Sequence, residues 1–185
     1  MPNWDGLDEL ELLAQAQDGD PEAFGELYNR YAGLIFRFLY AHLDDRLDAE
    51  DLTHEVFMKT WRSIAKYQQQ GLPFSAFLFR VAKNCLVDFY RRLGQHAHDL
   101  SGAEQTDALA LSDPAGEISN QMEHREMVRL LHSLKEDYRL VLTLRFFSGL
   151  TPEETAHVMH KSVGAVRVLQ FRALGALRLL LEEEG

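Results

Sequence analysis

The sequence is poor in cysteine and in long apolar runs. Cys85 is the only cysteine among the 185 residues, which excludes an internal disulfide framework. No apolar run approaches the roughly 20 residues that a membrane-spanning helix needs. The opening stretch, MPNWDGLDELELLAQ, is acidic and lacks the basic-then-apolar order of a secretory signal peptide. Together these absences predict a cytoplasmic protein without membrane insertion.

The signals that accompany catalysis or metal binding are also scarce. We find no nucleophile–base pair, no phosphate-cradling glycine loop and no pair of carboxylates in a catalytic pattern. His96 and His98 form a His-x-His pair, which is weak evidence for a metal site, and Cys85 falls on an apolar helix face. The sequence therefore predicts a protein that is not an enzyme and that binds no metal or cofactor.

Basic residues are few, but they are concentrated. The 19 Lys and Arg residues against 29 Asp and Glu give a net charge of −10. Residues 1–60 hold 4 basic and 14 acidic residues, whereas residues 61–92 hold 6 and 1. Because nucleic-acid binding depends on the local field rather than on the summed charge, the basic segment is a candidate for it. On charge alone, a solvated surface explains the segment equally well.

Apolar residues recur with helical spacing through most of the chain, and no convincing strand-like alternation is found. Asp20-Pro21 predicts a helix start, because Asp is an N-cap acceptor and Pro is tolerated in the first turn. This helix is expected to run to about residue 43, and Asp48 is expected to cap the next one. The loop sequence KYQQQGLP then separates that helix from a third, over residues 73–92.

Residues 93–117 change in composition, since Gly, Ser, Asp, Ala and Pro dominate and no aromatic residue occurs. This composition predicts a flexible linker. The helices predicted beyond it cover residues 118–134, 135–147, 152–159 and 163–181. The predicted fold is all-α, with two small helical domains, residues 1–92 and 118–185, joined by the linker.

The segment PFSAFLFRVAKNCLVDFYRR, residues 73–92, predicts a helix with two different faces. A helical wheel gives one apolar core face: Phe74, Phe77, Leu78, Val81, Ala82, Cys85, Leu86 and Phe89. The opposite face combines Ala76 with seven aromatic, apolar, polar or basic residues: Phe79, Arg80, Lys83, Asn84, Val87, Tyr90 and Arg91. Such a face either packs against another helix or binds single-stranded nucleic acid through base stacking and phosphate contacts. This segment alone leaves both interpretations open.

Residues 150–178, LTPEETAHVMHKSVGAVRVLQFRALGALR, predict two helices joined by a tight turn. Thr151 is an N-cap, Pro152 occupies the first helical position, and Glu154 completes a capping box. After a short connector, Ser162 caps a longer second helix. This is the plan of a helix-turn-helix DNA-binding motif.

The second of these helices also has two faces. Its predicted inward face is apolar: Ala165, Val166, Leu169, Ala173, Ala176 and Leu177. The residues expected to contact duplex DNA lie on the outward face and in the turn before it: Lys161, Ser162, Val163, Gly164, Arg167, Val168, Phe171 and Arg172. Arg167 can reach guanine edges or a phosphate, and Val168 and Phe171 can touch thymine methyl groups. Caps, turn length and face chemistry together favour DNA binding over an ordinary helical hairpin.

Three segments, in this order and separation, resemble the extracytoplasmic-function (ECF) sigma factors, the small two-domain members of the bacterial sigma-70 family. DAEDLTHEVFMKTW, residues 48–61, resembles the family's segment that binds core polymerase. Residues 73–92 resemble its promoter-melting helix, and residues 150–178 resemble its region 4 helix-turn-helix. The resemblance covers about residues 10–92 and 118–180.

The resemblance implies a protein that brings core RNA polymerase to promoters and helps to open the −10 element. A sigma region 2-like domain, residues 1–92, would dock on the β′ clamp helices. The implied docking residues are Asp48, Asp51, Thr53, His54, Glu55 and Met58. The outward face of the 73–92 helix would hold unstacked −10 bases, with Asn84 at the position of the family's motif asparagine. A region 4-like domain, residues 118–185, would recognise the −35 element and contact the β flap, and an anti-sigma factor would regulate the chain.

The chain departs from the family pattern at three positions. Phe77 stands where Trp is frequent, Lys135 where Pro is common, and His160 where the turn often has Gly, which leaves the turn geometry open. The main alternative function is a stand-alone helix-turn-helix regulator that binds duplex DNA without polymerase. A helical interaction protein without DNA would leave both basic faces unexplained.

Overall fold

A computed structural model describes residues 8–43, 45–68, 71–97 and 127–184. The first half forms α1 (Glu9–Gln17), α2 (Pro21–Tyr40), α3 (Arg46–Ile64) and α4 (Phe74–Ala97). The second half begins with helical residues 127–133. It continues with α5 (Glu136–Leu142), a π-helical turn (Thr143–Phe147), α6 (Pro152–Met159) and α7 (Val163–Glu184). The described ranges contain no strand, which confirms the all-α fold class.

Helix α2 begins where the sequence predicts. The Asp20 carboxylate accepts hydrogen bonds from the backbone N–H groups of Glu22, at 2.8 Å, and Ala23, at 3.3 Å. Pro21 occupies the first helical position, where its missing N–H breaks no bond. The helix packs against α1, α3 and α4. Its fully buried residues are Ala23, Leu27, Ile35, Phe38 and Leu39.

Helix α3 begins three residues earlier than expected. Asp45, not Asp48, is the N-cap: its backbone is extended and its carboxylate accepts from the Leu47 N–H at 2.7 Å. Asp48 instead lies in the first turn, where a carboxylate suits the positive end of the helix dipole. The sequence offers acidic candidates for the cap at both positions, and the backbone conformation at Asp45 decides between them.

Helix α1 is an element that the sequence patterns did not reveal. Among its nine residues, Leu12, Leu13 and Ala16 are buried, and the helix packs against α2. Three apolar positions over two and a half turns give only a weak periodic signal. The acidic start of the chain therefore contains a helix that contributes to the core.

Helix α4 is longer than predicted and runs to Ala97. Residues 93–97, assigned to the linker from composition, therefore belong to the helix. The rest of the predicted linker, and the helical pattern expected from Ile118, fall within residues 98–126, outside the described ranges.

Arg139 joins the first two helical segments of the second half. Its guanidinium donates to the backbone carbonyls of Leu131, at 2.9 Å, and His132, at 2.7 Å, near the end of the 127–133 helix. Lys135, which stands where the family often has Pro, is the N-cap of α5 and makes no side-chain capping bond. The arginine therefore satisfies carbonyl groups that a helix end leaves without intrahelical partners.

The helix predicted over residues 135–147 is present, but its second half is π-helical. The Ser148 N–H donates to the Thr143 carbonyl at 3.0 Å, five residues back. π-helical turns are rare and frequently occur at functional positions. This turn packs against α2, so it forms part of the contact between the two halves of the chain.

The helix-turn-helix has the predicted caps. Thr151 and Glu154 form the complete capping box at the start of α6, and the Ala165 N–H donates to the Ser162 hydroxyl at 3.2 Å at the start of α7. His160, between them, adopts the left-handed conformation, with φ 53° and ψ 43°. The chain therefore forms the turn with a residue type for which this conformation costs free energy.

We expect His160→Gly to raise the free energy of unfolding by about 0.5–1 kcal/mol, because glycine adopts positive φ without a steric penalty. Gly149→Ala tests the opposite change, because Gly149 has φ 69°. No atom lies within 4 Å of an added Cβ, so the substitution changes the backbone preference without a steric clash. The alanine is expected to lower the free energy of unfolding by about 1 kcal/mol. Urea denaturation checks both, and equal midpoints for wild type and His160→Gly would contradict the expectation.

Both halves of the chain pack against each other. Helix α6 lies on α4, and the π-helical turn lies on α2. The buried side chains of the two halves form one continuous apolar cluster. The predicted two-domain plan is therefore present as two helical units in direct contact.

Candidate nucleic-acid interface

One candidate surface is the outer side of α3. Asp51, His54 and Met58 are exposed, and Asp48 and Glu55 are half-buried. These five residues form a strip of three carboxylates, one imidazole and one thioether, which we call the acidic strip. The strip continues onto α4, because Glu55 contacts Arg92 of that helix at 3.2 Å. Glu55 also contacts Lys59 of its own helix at 2.8 Å.

Thr53 was predicted to belong to this strip, and the structure corrects that assignment. Its side chain is buried, with 5 % exposed, and its hydroxyl donates to the Ala49 carbonyl at 2.7 Å. Position 53 follows Leu52 and precedes Val56 on the inward side of α3. The family resemblance placed Thr53 in the docking set, but a threonine can occupy a buried position because its hydroxyl bonds within its own helix.

The second candidate surface is the face of α4 predicted to bind single strands, which we call the melting face. The structure defines it by six residues: Arg80, Lys83, Asn84, Val87, Tyr90 and Arg91. Asn84, Val87, Tyr90 and Arg91 are exposed, whereas Arg80 and Lys83 are half-buried. The Tyr90 hydroxyl donates to the His42 carbonyl, which fixes the ring beside the start of the α2–α3 connection.

Phe79 was also predicted to be exposed on this face, and that prediction is wrong. Its side chain is fully buried and packs edge-on against Phe38 of α2, with ring centroids 5.4 Å apart. Ala76 on the same side is fully buried too. The prediction assigned α4 a single buried side. In the structure α4 packs against three helices, α2, α3 and α6, so more than half of its circumference is covered.

A cavity of about 310 Å³ opens where the loop before α4 meets the helix. Its lining residues are Ser63, Lys66, Tyr67, Gln68, Leu72, Pro73, Phe77, Arg80 and His157. The Tyr67 and Phe77 rings lie 4.6 Å apart, and the Arg80 guanidinium lies 5.6 Å from the Phe77 ring centre. Aromatic rings beside basic groups are suited to an unstacked nucleic-acid base and its phosphate.

The third candidate surface is the outward face of α7, which we call the recognition face. Phe171 is 80 % exposed and Val168 is 52 % exposed, so both side chains are accessible to a partner. Lys161, Ser162, Gly164, Arg167 and Arg172 are also exposed, and Val163 is half-buried. Arg167 lies 3.7 Å from Glu153, a loose pair that leaves the guanidinium available to DNA.

Ala165 was predicted to face inward but is exposed. On the inward side of α7 the fully buried residues are Val166 and Ala173. Arg145 supports α7 from the π-helical turn, since its guanidinium donates to Gln170 at 3.0 Å and to the Leu150 carbonyl. No pattern in the sequence singled out Arg145.

Comparison with known proteins decides the family. The family described as Sigma-70 region 2 matches residues 27–96, and Sigma-70, region 4 matches residues 130–179. The ECF RNA polymerase sigma factor BldN of Streptomyces coelicolor is 32 % identical over 177 residues, which are 95 % of this chain and 67 % of that protein. The chain belongs to the ECF sigma factors.

Solved structures show the same fold. The sigma factor is similar to CnrH in complex with the cytosolic domain of CnrY, with a TM-score of 0.74, 25 % identity and coverage of 96 % of this chain and 99 % of that one. It is also similar in fold to the sigma factor RpoE of Bartonella quintana, solved in complex with the anti-sigma factor NepR. That comparison has a TM-score of 0.72, 22 % identity and coverage of 86 % and 96 %.

In this sigma factor, Gln17 of α1 holds the loop that lines the cavity. Its side-chain amide donates to the carbonyls of Ile64, at 3.2 Å, and Tyr67, at 2.6 Å. Glu9 of the same helix accepts a hydrogen bond from the Tyr31 hydroxyl, and burial followed by this contact raises the pKa of Tyr31. Helix α1, which lies outside the matched region 2 segment, therefore supports the approach to the melting face.

We expect Gln17→Ala to lower the free energy of unfolding by about 1–3 kcal/mol, because it leaves two partly buried carbonyls without their donor. Hydrogen exchange at residues 65–68 is expected to accelerate more than exchange in α2. Gln15→Ala is the matched control, since Gln15 lies in the same helix and its side chain makes neither bond. Equal loop exchange in both variants would show that Gln17 does not hold the loop.

Within the described residues, polar contacts join the two halves of the sigma factor. The Arg80 guanidinium lies 3.2 Å from Nε2 of His157, and the Lys83 ammonium donates to the Val158 carbonyl at 3.3 Å. Nε2 of His42 lies 2.9 Å from the Thr143 hydroxyl, in a buried contact between residues 101 positions apart. Burial, and then the charges of Arg80 and His160, lower the pKa of His157, which favours the neutral imidazole beside Arg80.

His42 makes the stability of this sigma factor depend on pH. Burial, followed by the charges of Arg139 and His132, lowers the pKa of His42 from 6.5 to about 3. The unfolded chain therefore takes up a proton near pH 6.5 that the folded chain does not accept until about pH 3. The free energy of unfolding falls as the pH drops below 6.5, by up to about 1.4 kcal/mol per pH unit from this residue.

The measurement is chemical denaturation of wild type and His42→Gln between pH 7.5 and 5. Glutamine keeps a donor for Thr143 but does not titrate, so the wild type is expected to lose more stability on acidification than the variant. Curves that fall in parallel would show that His42 does not bind the proton on unfolding.

The described residues also bear on membrane-spanning helices and metal sites. No helix in the described ranges is long and apolar enough to cross a membrane. The described residues contain no group of three potential metal ligands. The side chains of His96 and His98 lie outside the described part of the chain, and Cys85 is buried in the core.

Proposed function

We propose that this sigma factor directs core RNA polymerase to specific promoters and helps to open the −10 element. The observation that carries the proposal is the presence, on one chain, of an aromatic and basic melting face and an exposed recognition face. A regulator that binds duplex DNA alone has no use for the first face. The protein is not an enzyme in this proposal, since the polymerase supplies the chemistry, and it acts in the cytoplasm with the polymerase.

The acidic strip on α3 is the proposed docking surface for the β′ clamp helices. It consists of Asp48, Asp51, His54, Glu55 and Met58, with Thr53 removed because its side chain is buried. Burial, followed by the neighbouring Asp45 and Asp51, raises the pKa of Asp48, as expected where carboxylates are crowded. A basic partner surface would relieve this repulsion, so the crowding favours docking on a positively charged helix pair.

The melting face and the cavity beside it are the proposed site for unstacked −10 bases. Unstacking a base costs a few kcal/mol, and stacking on one aromatic side chain returns about 1–3 kcal/mol. One ring is therefore marginal, so we propose that stacking on Tyr90 or on the Tyr67–Phe77 pair acts together with polar contacts to hold an unstacked base. Asn84 supplies both a donor and an acceptor to a base edge, and the basic residues contact phosphates.

The helix-turn-helix, within residues 127–184, is the proposed −35 reader. Arg167 projects from the first turns of α7, where a recognition helix meets base edges, and Val168 and Phe171 offer apolar surface to thymine methyl groups. Ser162 and the N-terminus of α7 are suited to a phosphate. We propose that the same domain contacts the β flap of the polymerase.

An anti-sigma factor is the proposed regulator. CnrH, which covers nearly the whole of this chain in the comparison, is solved with a bound partner segment. Docking of such a partner on either half would compete with polymerase or DNA, because the candidate surfaces occupy both halves.

In vitro transcription with purified core polymerase and a pool of promoter fragments tests the function. Addition of the sigma factor is expected to give selective transcripts. We expect Asn84→Ala to reduce open-complex formation and Arg167→Ala to weaken promoter recognition roughly ten- to a hundredfold, the range for losing a specific arginine contact.

The matched controls are Asn29→Ala, at an exposed position on α2, and Arg178→Ala, at an exposed position on α7. Both are expected to transcribe like wild type. If the chain binds duplex DNA but neither binds core nor yields a transcript, the protein is a stand-alone regulator and the proposal fails.

A further inference from the structure

Arg145 contacts both helices of the helix-turn-helix. Its Nε–H donates to Oε1 of Gln170 on α7 at 3.0 Å, and Nη1 donates to the Leu150 carbonyl. Leu150 directly precedes Thr151, which is the N-cap of α6. One guanidinium therefore joins the start of α6 to the middle of α7, and it holds the Gln170 side chain in one orientation relative to both helices.

This contact decides which end of the Gln170 amide points outward. A guanidinium has only donors, so the amide atom that faces Arg145 has to be the oxygen. The amide nitrogen, with its two N–H donors, therefore points away from Arg145. Within the described residues no protein acceptor binds this nitrogen, and it is not among their buried polar atoms that lack a partner. Its donors are thus open to a ligand.

Gln170 lies on one flank of the recognition face. At 100° per residue it is about 60° from Arg167, on the opposite side from Val168 and Arg172. It is half-buried and lies on the wheel between the exposed Arg167 and the fully buried Val166. A helix in the major groove meets base edges with its centre and has a sugar–phosphate backbone along each flank. The position of Gln170 therefore suits a phosphate better than a base.

The charge of Arg145 makes the Gln170 amide a stronger donor. Arginine stays protonated in proteins, and a hydrogen bond to the amide oxygen polarises the whole amide group, which strengthens its N–H donors. Arg145 is half-buried, so its charge is screened less than that of a fully exposed residue. The charge also attracts an anion to this flank. The open donors and the local field both favour a phosphate oxygen.

We propose that Gln170 donates a hydrogen bond to a backbone phosphate of the −35 element and that Arg145 orients it for this contact. This inference rests on the function proposed above for the recognition face. The contact is independent of the −35 sequence, because phosphates carry no base identity, whereas Arg167 discriminates between bases. Arg145 acts through Gln170 and is a positioning residue.

The first experiment measures promoter binding by holoenzyme assembled from core polymerase and variants of the full chain. Gln170→Met keeps the length of the side chain and removes both N–H donors. Gln170→Glu also removes the donors but keeps an oxygen for Arg145, so it separates loss of the DNA contact from loss of the Arg145 contact. Gln15→Met is the matched control, because it is the same substitution at a half-buried glutamine of α1.

Fluorescence anisotropy with a labelled promoter found by transcription is expected to show about three- to tenfold weaker binding for Gln170→Met, the range for loss of one hydrogen bond. Gln170→Glu is expected to lose more, because its carboxylate repels the phosphate. The factor for Gln170→Met is expected to be the same on promoters with different −35 bases, whereas the factor for Arg167→Ala changes with them. Gln15→Met is expected to bind like wild type. Wild-type affinity in both Gln170 variants would overturn the proposal.

The second experiment locates the phosphate. Single phosphates of the −35 element are replaced in turn by uncharged methylphosphonates, and each duplex is titrated with wild-type and Gln170→Met holoenzyme. At one position the replacement is expected to weaken wild-type binding severalfold and to leave the variant unaffected, because that phosphate has already lost its partner. If the variant is as sensitive as wild type at every phosphate, Gln170 contacts none of them and the proposal is wrong.

A double-mutant cycle tests the positioning role of Arg145. Arg145→Met is expected to weaken promoter binding in the wild-type background and to add little when Gln170 is already methionine. Thermal denaturation is expected to show a loss of stability from Arg145→Met in both backgrounds, because the Leu150 carbonyl loses its donor in each. Losses of affinity that add in the double variant would show that Arg145 does not act through Gln170.

Transcription with core polymerase separates failure of this inference from failure of the proposed function. If wild type gives selective transcripts and both Gln170 variants bind the promoter equally well, the assignment of Gln170 alone is wrong. If wild-type holoenzyme neither binds a promoter selectively nor gives a transcript, the function on which the inference rests has failed as well.

Discussion

Both halves of the protein pack against α4, and this shared burial governs the rest of the structure. The helix presents an apolar core face to α2 and α3 and a polar face to α6. Arg80 and Lys83 lie on the second of these faces, where they contact His157 and the Val158 carbonyl. The phenylalanines between the basic residues of α4 serve the core, since Phe74 and Phe79 are fully buried.

The sequence predicted the helix caps correctly where one residue or one short motif determines the cap. The Asp20 cap, the Thr151–Glu154 capping box and the Ser162 cap all occur as predicted, because each depends on atoms within a few residues. The exposure of the recognition face was also predictable, because a helix that packs on one side leaves its opposite side exposed. The fold class needed only the helical spacing of apolar residues.

Features that depend on distant partners were not readable. Phe79 is buried because Phe38 of another helix lies beside it, and the wheel of α4 contains no information about α2. Gln17 has an ordinary polar side chain, and its role follows from the Tyr67 carbonyl, which lies 50 positions away in the sequence. At His160 the sequence predicted part of the structure. The tight turn was expected, but only the structure shows that His160 adopts a φ of 53° in it.

The separation of 101 residues between His42 and Thr143 has a consequence for synthesis. Residues up to Ala97 complete the first domain, and a ribosome adding about 5–20 residues per second needs several more seconds to deliver the helices that cover α4. The nascent chain therefore spends several seconds with a complete first domain whose helix α4 is not yet covered by α6. The contacts between the two halves form last, because the residues of the second half are synthesised last.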